Sequence, residues 1–312
     1  MYKTGVTHKL RKEVKLIFSF LVFALLGVYI ADNIWPIFGE FKLAISAGAS
    51  SILLIFFLTI PNLLCEAKKW LALLNDERIG FSKSIRALLI GMATGFITPN
   101  RVGEFAGRVT VFKPEAHPKI IAMTWVGSTL QGSVTVAFGL VALLVFPLWS
   151  QVSSFIKFDL SLHILLFSAI AAILFLAFRK KVFPYARAIA QSVRALKTVN
   201  VLNALPWAVL RYVIFTAQIA LALYLFGYSG SPWYCCAGIS VMFLVQSYLP
   251  LTTFAELGVR EFLAVLIFGG TMSEPALAAV ATLLVWLANI GLPVAVGSLL
   301  IRNSKRSRLG VS

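Results

Sequence analysis

Long apolar runs separated by short basic loops constrain this chain more than any other feature of its sequence. A helix rises about 1.5 Å per residue, so about 20 apolar residues cross the roughly 30 Å hydrocarbon core of a bilayer. Hydrophobic residues make up 59% of the 312 residues and charged residues only 13%, which excludes a soluble globular domain. We therefore predict an all-α integral membrane protein. Its six predicted spans are residues 16–30, 43–60, 120–146, 160–178, 205–226 and 276–301.

The basic residues predict which side of the membrane each loop faces. The formal net charge is +16, but Lys and Arg lie in short loops between apolar runs, as the positive-inside rule predicts, so nucleic-acid binding is not expected. We expect a multi-pass protein of the plasma (inner) membrane with both termini in the cytoplasm. The stretch 179–197 has six basic residues and no acidic one, which predicts a surface helix facing anionic lipid at the cytoplasmic face. Residues 66–86 are expected along the interface, with Trp70 as an anchor.

The apolar run at residues 84–98 is too short for an ordinary span, because as a helix it rises only about 22 Å. Pro99 interrupts it, and the following segment ends in basic residues that belong to the side from which the run entered. This pattern favours a re-entrant helical hairpin at about 84–113. Its turn is predicted at residues 98–103, with Pro99 and Gly103 as turn residues.

A second segment, at about 236–270, repeats this pattern with Pro250 and Gly258 as the predicted turn residues. The flanking spans start and end outside, so this hairpin is expected to enter from the outer face. Two Pro-broken hairpins entering from opposite faces are typical of an inverted repeat whose site lies near the midplane. We therefore predict one domain, residues 1–312, built around the two hairpins.

Charged residues at membrane depth are costly, so they occur where a partner or water compensates them. Each hairpin tip has a Glu four residues before an Arg, the favourable helical spacing, and the first tip has an excess of Arg while the second has an excess of Glu. The predicted substrate-binding residues are Arg101, Glu104 and Arg108 in the first tip and Glu256, Arg260 and Glu261 in the second. Arg101 with Glu261 is the predicted pair between the tips.

Two simpler interpretations of these clusters stay open. The first cluster could be an ordinary cytoplasmic loop, and the second a purely structural buried ion pair. The sequence contains no catalytic motif and no clustered metal ligands, so we expect neither an enzyme nor a metal or cofactor site. Three amides within spans either line a polar cavity or bridge helices; they are Gln131, Gln218 and Asn289.

Two motifs carry a family resemblance. The segments "TPNRVGEFAGR" and "PLTTFAELGVRE" resemble the two signatures of the flippase-like transmembrane region of lysylphosphatidylglycerol synthetases, and the similarity covers essentially the whole chain. The resemblance implies movement of phospholipids or polyprenyl-linked lipids between leaflets. Ala255 and Glu256 stand where family members often have glycine, which puts the headgroup preference in doubt. The soluble aminoacyl-transferring domain of the full synthetases is missing from this sequence, so lipid aminoacylation is not expected.

Three functions follow as hypotheses. The first is a lipid translocase that binds a phosphate-bearing headgroup between the hairpin tips. The second is a membrane scaffold or regulator of a lipid- or glycan-synthesising enzyme, in which the basic segment 179–197 is the working surface. The third is a small-solute carrier that uses the same site.

Overall fold

The computed structural model of the chain describes residues 48–96, 98, 101–146, 186–248 and 253–309. The chain divides into two compact units, Met1–Ala49 and Ser50–Ser312, and the helices below belong essentially to the second. The predicted spans at 16–30 and 160–178 and the turn residues Pro99 and Pro250 lie outside the described residues.

Within the described ranges, every regular element is helical. The helices are α1 (Ala49–Leu74), α2 (Phe81–Phe96), α3 (Gly103–Val109), α4 (His117–Val145), α5 (186–194), α6 (Thr198–Leu225), α7 (Pro232–Tyr248), α8 (Thr253–Phe268), α9 (Ala276–Trp286) and α10 (Leu292–Leu309). Four stretches are long and apolar enough to cross a membrane: Ala49–Leu74, Pro114–Val145, Thr198–Leu225 and Ala276–Ile301. They coincide with four of the six predicted spans, which confirms the all-α class and those span candidates.

Helix α1 continues well beyond its predicted span and carries residues 66–74 into the protein interior. Lys69 and Trp70 are each only 1% exposed, so the prediction that Trp70 is an interfacial anchor is wrong. Trp70 instead packs edge-on against Phe112, with ring centroids 6.0 Å apart. The helix ends at Asn75, whose φ of 44° is the left-handed conformation common after a helix C-terminus.

Helices α2 and α3 form a tightly packed antiparallel pair, which we call the first helix pair. The backbones approach so closely that a Cβ on Gly107 would overlap the Thr94 side chain and the backbone of Gly91. A Cβ on Gly103 would likewise overlap the Thr94 carbonyl. The Thr94 hydroxyl donates to the Gly103 carbonyl at 2.7 Å, which ties the two helices together beside the turn.

Helices α7 and α8 form the second helix pair, also antiparallel. Gly238 near the start of α7 faces Phe268 at the end of α8, and Gln246 near the end of α7 donates to the Glu256 carbonyl at 3.4 Å. Gly258 lies inside α8 and not in the turn, so the prediction that it is a turn residue is wrong. A Cβ there would meet no atom within 4 Å, and its place in the helix therefore does not require glycine.

The last membrane-length stretch is interrupted at its centre. A π-helical turn spans Leu287–Gly291 between α9 and α10, and Pro293 follows two residues later. Proline has no N–H to donate to the carbonyl four residues before it, here that of Asn289. Such wide turns are frequent at functional sites, and this one sets the side chain of Asn289 facing the interior of the helix bundle.

Candidate functional site

One carboxylate, that of Glu66 on α1, holds three basic side chains from three helices. Its Oε2 lies 2.6 Å from the Lys69 Nζ and 2.8 Å from an Arg211 Nη1 on α6. Its Oε1 lies 3.3 Å from an Arg108 Nη2 on α3. Glu66 is therefore the centre of an ion network that joins α1, α3 and α6.

Arg108 is almost as enclosed as Lys69, with 2% of its surface exposed. It also pairs with Glu104 one turn earlier, which confirms the predicted contact at that spacing. Its guanidinium carbon lies 4.9 Å from the centre of the Trp70 ring, a favourable cation–π geometry. Two of its nitrogens, Nε and Nη1, have no hydrogen-bond partner among the described residues.

A chain of amides continues the network across the bundle. Arg211 Nε donates to the Asn62 Oδ1 at 3.0 Å. Asn62 and Asn289 both donate to the Gln218 Oε1, at 3.5 and 3.1 Å. The Gln218 Nε2 in turn donates to the Ile55 carbonyl at 2.8 Å. Gln218 therefore bridges helices, which is one of the two interpretations that the sequence left open.

Gln131 on α4 both bridges helices and lines a cavity, which are the two interpretations that the sequence left open for these amides. It accepts from the Lys69 Nζ at 3.3 Å and donates to the Ala208 carbonyl at 3.2 Å, so it bridges α1, α4 and α6. It also lines a cavity, together with Asn289. These bonds leave few of its polar atoms unsatisfied, which is what a buried amide requires.

The network faces a cavity of about 790 Å³ to which both helix pairs contribute. Arg101 and Glu104 line it from the first pair, and Ser247 and Glu256 from the second. A smaller cavity of about 220 Å³ shares much of the same lining and adds Arg260. Four of the six predicted site residues, Arg101, Glu104, Glu256 and Arg260, are thus brought to one region although the two tips are about 150 residues apart in the chain, whereas Arg108 and Glu261 line neither cavity.

Arg101 at the first tip has a strained backbone. Its φ is 54°, a left-handed conformation that costs a residue with a Cβ about 1–2 kcal/mol. Its Nε lies 4.0 Å from the Glu104 Oε2, and its side chain lines both cavities. Strain of this kind is found where the surrounding structure holds a functional side chain in place.

The second tip carries buried charges without direct partners. Arg260 is 2% exposed and Glu261 4%, yet neither forms an ion pair with a described residue. The Nε and Nη2 of Arg260 and the Oε1 of Glu261 have no hydrogen-bond partner there either. The predicted pair between Arg101 and Glu261 is therefore wrong. Glu261 follows Arg260 directly, so it lies about 100° further around the helix and does not line either cavity.

The two cavities differ in the balance of their charged residues. The described lining of the larger cavity has three bases and three acids, which are Lys69, Arg101, Arg211, Glu66, Glu104 and Glu256. The smaller cavity is lined by Arg101, Arg211 and Arg260 but, among the described residues, by Glu256 as its one acid, so it has an excess of positive charge. A local excess of cations attracts an anionic ligand over a distance of several ångströms.

Comparisons of the chain with protein-family models, with curated proteins and with solved structures found no match. The resemblance to the flippase-like region of lysylphosphatidylglycerol synthetases therefore stays a prediction.

The sequence interpretation missed three central residues: Glu66, Lys69 and Arg211. Arg211 lies in the middle of a predicted span, and an intramembrane charge is by default a candidate functional residue. Glu66 and Lys69 continue a polar stripe on α1 that begins with Thr59 and Asn62, at helical spacings of three and four. That stripe was the available signal, and it was obscured because residues 66–86 were assigned to the membrane surface.

The predicted basic surface helix lies within the described residues only from 186 onward. Arg187 and Arg194 are exposed there, whereas Ile189 and Val193 pack against the apolar cluster around Trp70. Helix α5 is therefore amphipathic, as predicted, with its apolar face on the protein.

Proposed function

We propose that this chain is a lipid translocase that resembles the flippase-like region of lysylphosphatidylglycerol synthetases, and that it binds a phosphate-bearing headgroup between the two helix pairs. The observation that carries the proposal is the smaller cavity, which is lined by three arginines and one described glutamate; one of those arginines is the buried Arg260, whose Nε and Nη2 have no hydrogen-bond partner among the described residues. A buried charge without a partner costs several kcal/mol, by order of magnitude. A phosphate bound there would offset that cost.

The proposed binding event exchanges ion pairs and creates no bare charge. Arg101 is one-third exposed and lies only at the limit of an ion pair with Glu104. Arg211 lines both cavities while it holds Glu66. A phosphate that enters between these arginines gains charge-assisted hydrogen bonds, and Glu66 keeps Lys69 and Arg108 as partners. The acyl chains remain in the bilayer throughout.

We further propose that both helix pairs are re-entrant and related as an inverted repeat. Helices α2 and α8 have 16 residues each, so each rises only about 24 Å, less than the roughly 30 Å hydrocarbon core. Both pairs turn toward the same cavity. In this proposal the chain lies in the plasma membrane, with both termini in the cytoplasm.

A scrambling assay in proteoliposomes tests the function directly. Fluorescent phospholipid in the inner leaflet becomes accessible to a membrane-impermeant quencher only if the protein moves it. We expect the wild-type chain to move lipid and the double variant Arg101→Ala with Arg260→Ala to lose at least tenfold in rate. Transport at the wild-type rate in that variant would rule out the assigned site, and no transport by the wild type would rule out the function.

The exposed basic face of α5 favours the scaffold as a second candidate. Arg187, Arg194 and the following Lys197 are all exposed and are available to a partner or to anionic lipid. The triple change to Gln at these positions is the matched control for the cavity double variant. If the chain is a scaffold, the triple change impairs its function and the cavity double variant does not. If it is a translocase, the cavity double variant impairs its function and the triple change does not.

A further inference from the structure

The wall that α4 contributes to the larger cavity is polar but uncharged. Thr124, Ser128, Gln131 and Thr135 follow each other at spacings of four, three and four residues, which places them on one face of the helix. All four line the cavity, and Trp125 lines it beside them. The charged residues of the lining, by contrast, come from α1, the first tip, α6 and α8. The cavity therefore has two chemically different sides.

The hydroxyls of the α4 wall present mainly acceptor sites. Thr124 and Thr135 donate their protons to the carbonyls of Ile120 and Gln131, at 2.7 and 3.1 Å. A hydroxyl that donates within its own helix keeps its oxygen lone pairs for other donors. A ligand that carries several O–H donors matches such a surface.

We propose that the headgroup is a phosphate ester of an uncharged polyol or sugar. The phosphate lies among Arg101, Arg211 and Arg260, and the polyol or sugar lies against the α4 wall. This inference rests on the proposed lipid-binding function and adds its substrate class. The indole of Trp125, which is 53% exposed, offers an apolar face of the kind that packs against the C–H surface of a polyol.

Charge argues against a cationic headgroup in the same cavity. A quaternary ammonium has no hydrogen-bond donor for the α4 wall and adds positive charge next to the smaller cavity, where three arginines already lie beside one described carboxylate. The cavity is large enough for a sugar, because its volume of about 790 Å³ lies within the roughly 300–1,000 Å³ of typical small-molecule sites. The site therefore selects headgroups by their number of hydrogen-bond donors and by their charge.

The first test measures binding of headgroup analogues to the full-length protein in detergent, by thermal melting. The probes are glucose 1-phosphate, sn-glycerol 3-phosphate, phosphocholine and inorganic phosphate. We expect glucose 1-phosphate and glycerol 3-phosphate to bind at least tenfold more tightly than phosphocholine. Equal affinities for all four probes would overturn the inference.

A matched pair of variants locates the selectivity. Ser128→Ala with Thr135→Val removes two hydroxyls from the cavity wall, and Ser133→Ala removes one from the exposed opposite side of α4. We expect the double variant to lose about tenfold in affinity for glucose 1-phosphate, which is about 1.4 kcal/mol, and to keep its affinity for inorganic phosphate. Ser133→Ala should change neither affinity. Unchanged glucose 1-phosphate binding in the double variant would contradict the assignment to α4.

The second test separates this inference from the proposed function and identifies the source of the headgroup. Proteoliposomes are assayed for movement of acyl-labelled phosphatidylglycerol, phosphatidylinositol and phosphatidylcholine, and for uptake of radiolabelled glycerol 3-phosphate. Movement of the first two lipids well above the third supports both proposals. Equal movement of all three keeps the translocase and overturns the headgroup class. Uptake of glycerol 3-phosphate without lipid movement overturns the translocase and keeps the headgroup chemistry, with a soluble source.

Discussion

The two helix pairs share a sequence pattern but handle their buried charges differently. In the first pair, Arg108 is paired with Glu104 on its own helix and with Glu66 on α1. In the second pair, Arg260 and Glu261 are equally buried but form no direct ion pair within the described part of the chain. The first charge cluster is thus held by direct ion pairs, and the second is not.

The packing of the two pairs differs in the same sense. Gly103 and Gly107 let the backbones of α2 and α3 come into contact beside the first tip, whereas Gly258 beside the second tip faces open space and the close glycine contact of that pair lies at its far end, between Gly238 and Phe268. A cluster that is closely packed and held by ion pairs is suited to hold a fixed shape. A cluster whose buried charges form no ion pair and that has free volume is suited to accept a ligand. In the proposed function, the first pair therefore builds the site and the second pair leaves room for what binds there.

The largest effect is expected from Glu66→Gln. The change leaves Lys69 without its carboxylate and Arg108 with only one, and removing one member of a buried ion network typically costs about 3–5 kcal/mol. We expect a strongly lowered melting temperature or loss of folded protein on size-exclusion chromatography. Glu77→Gln is the matched control, because Glu77 is exposed and should melt like the wild type. A stable Glu66→Gln protein would show that Glu66 does not organise the network.

Glycine replacements come next. In Gly107→Ala the new methyl group meets the Thr94 side chain and the Gly91 backbone, and overpacking of this kind costs about 1–3 kcal/mol. The same change at Gly258 meets no atom, and alanine there should be neutral or should stabilise the helix by about 0.5–1 kcal/mol. Thermal melting of the two variants in one detergent measures the difference. Equal stabilities would mean that the two pairs are packed alike.

A smaller difference is expected between two carboxylates. Glu104→Gln removes a charged partner of Arg108, and a hydrogen bond to a charged group contributes about 1.5–3 kcal/mol. Glu261→Gln removes a carboxylate that makes no ion pair and whose Oε1 is unsatisfied, so stability should hardly fall. Chemical denaturation monitored by tryptophan fluorescence distinguishes them. If Glu261→Gln lowered the stability more than Glu104→Gln, the carboxylate of Glu261 would have a stabilising partner.

The smallest effect concerns one hydroxyl in each pair. Thr94→Val removes the 2.7 Å bond between α2 and the Gly103 carbonyl, and a neutral hydrogen bond contributes about 1 kcal/mol. Ser247→Ala removes a hydroxyl that donates only within its own helix, to the Phe243 carbonyl at 2.8 Å. We expect a measurable drop in melting temperature for the first and almost none for the second. Identical shifts in melting temperature would show that the hydrogen bond between Thr94 and Gly103 does not stabilise the protein more than the bond within α7 does.

The helical membrane class and the span candidates among the described residues could be predicted from the sequence alone. Apolar length is a local property, because about 20 consecutive apolar residues cross a bilayer whatever their neighbours are. The sequence also predicted the ion pair of Glu104 and Arg108, since their spacing of four residues brings them together on any helix.

Which charges meet across the bundle could not be predicted from the sequence, because it depends on how the helices pack. Glu66 and Arg211 are 145 residues apart, and no local spacing relates them. The predicted partnership of Arg101 with Glu261 was wrong for the same reason. A helix turns about 100° per residue, so whether Arg260 or Glu261 faces the cavity depends on how α8 is rotated against its neighbours, and packing alone sets that rotation.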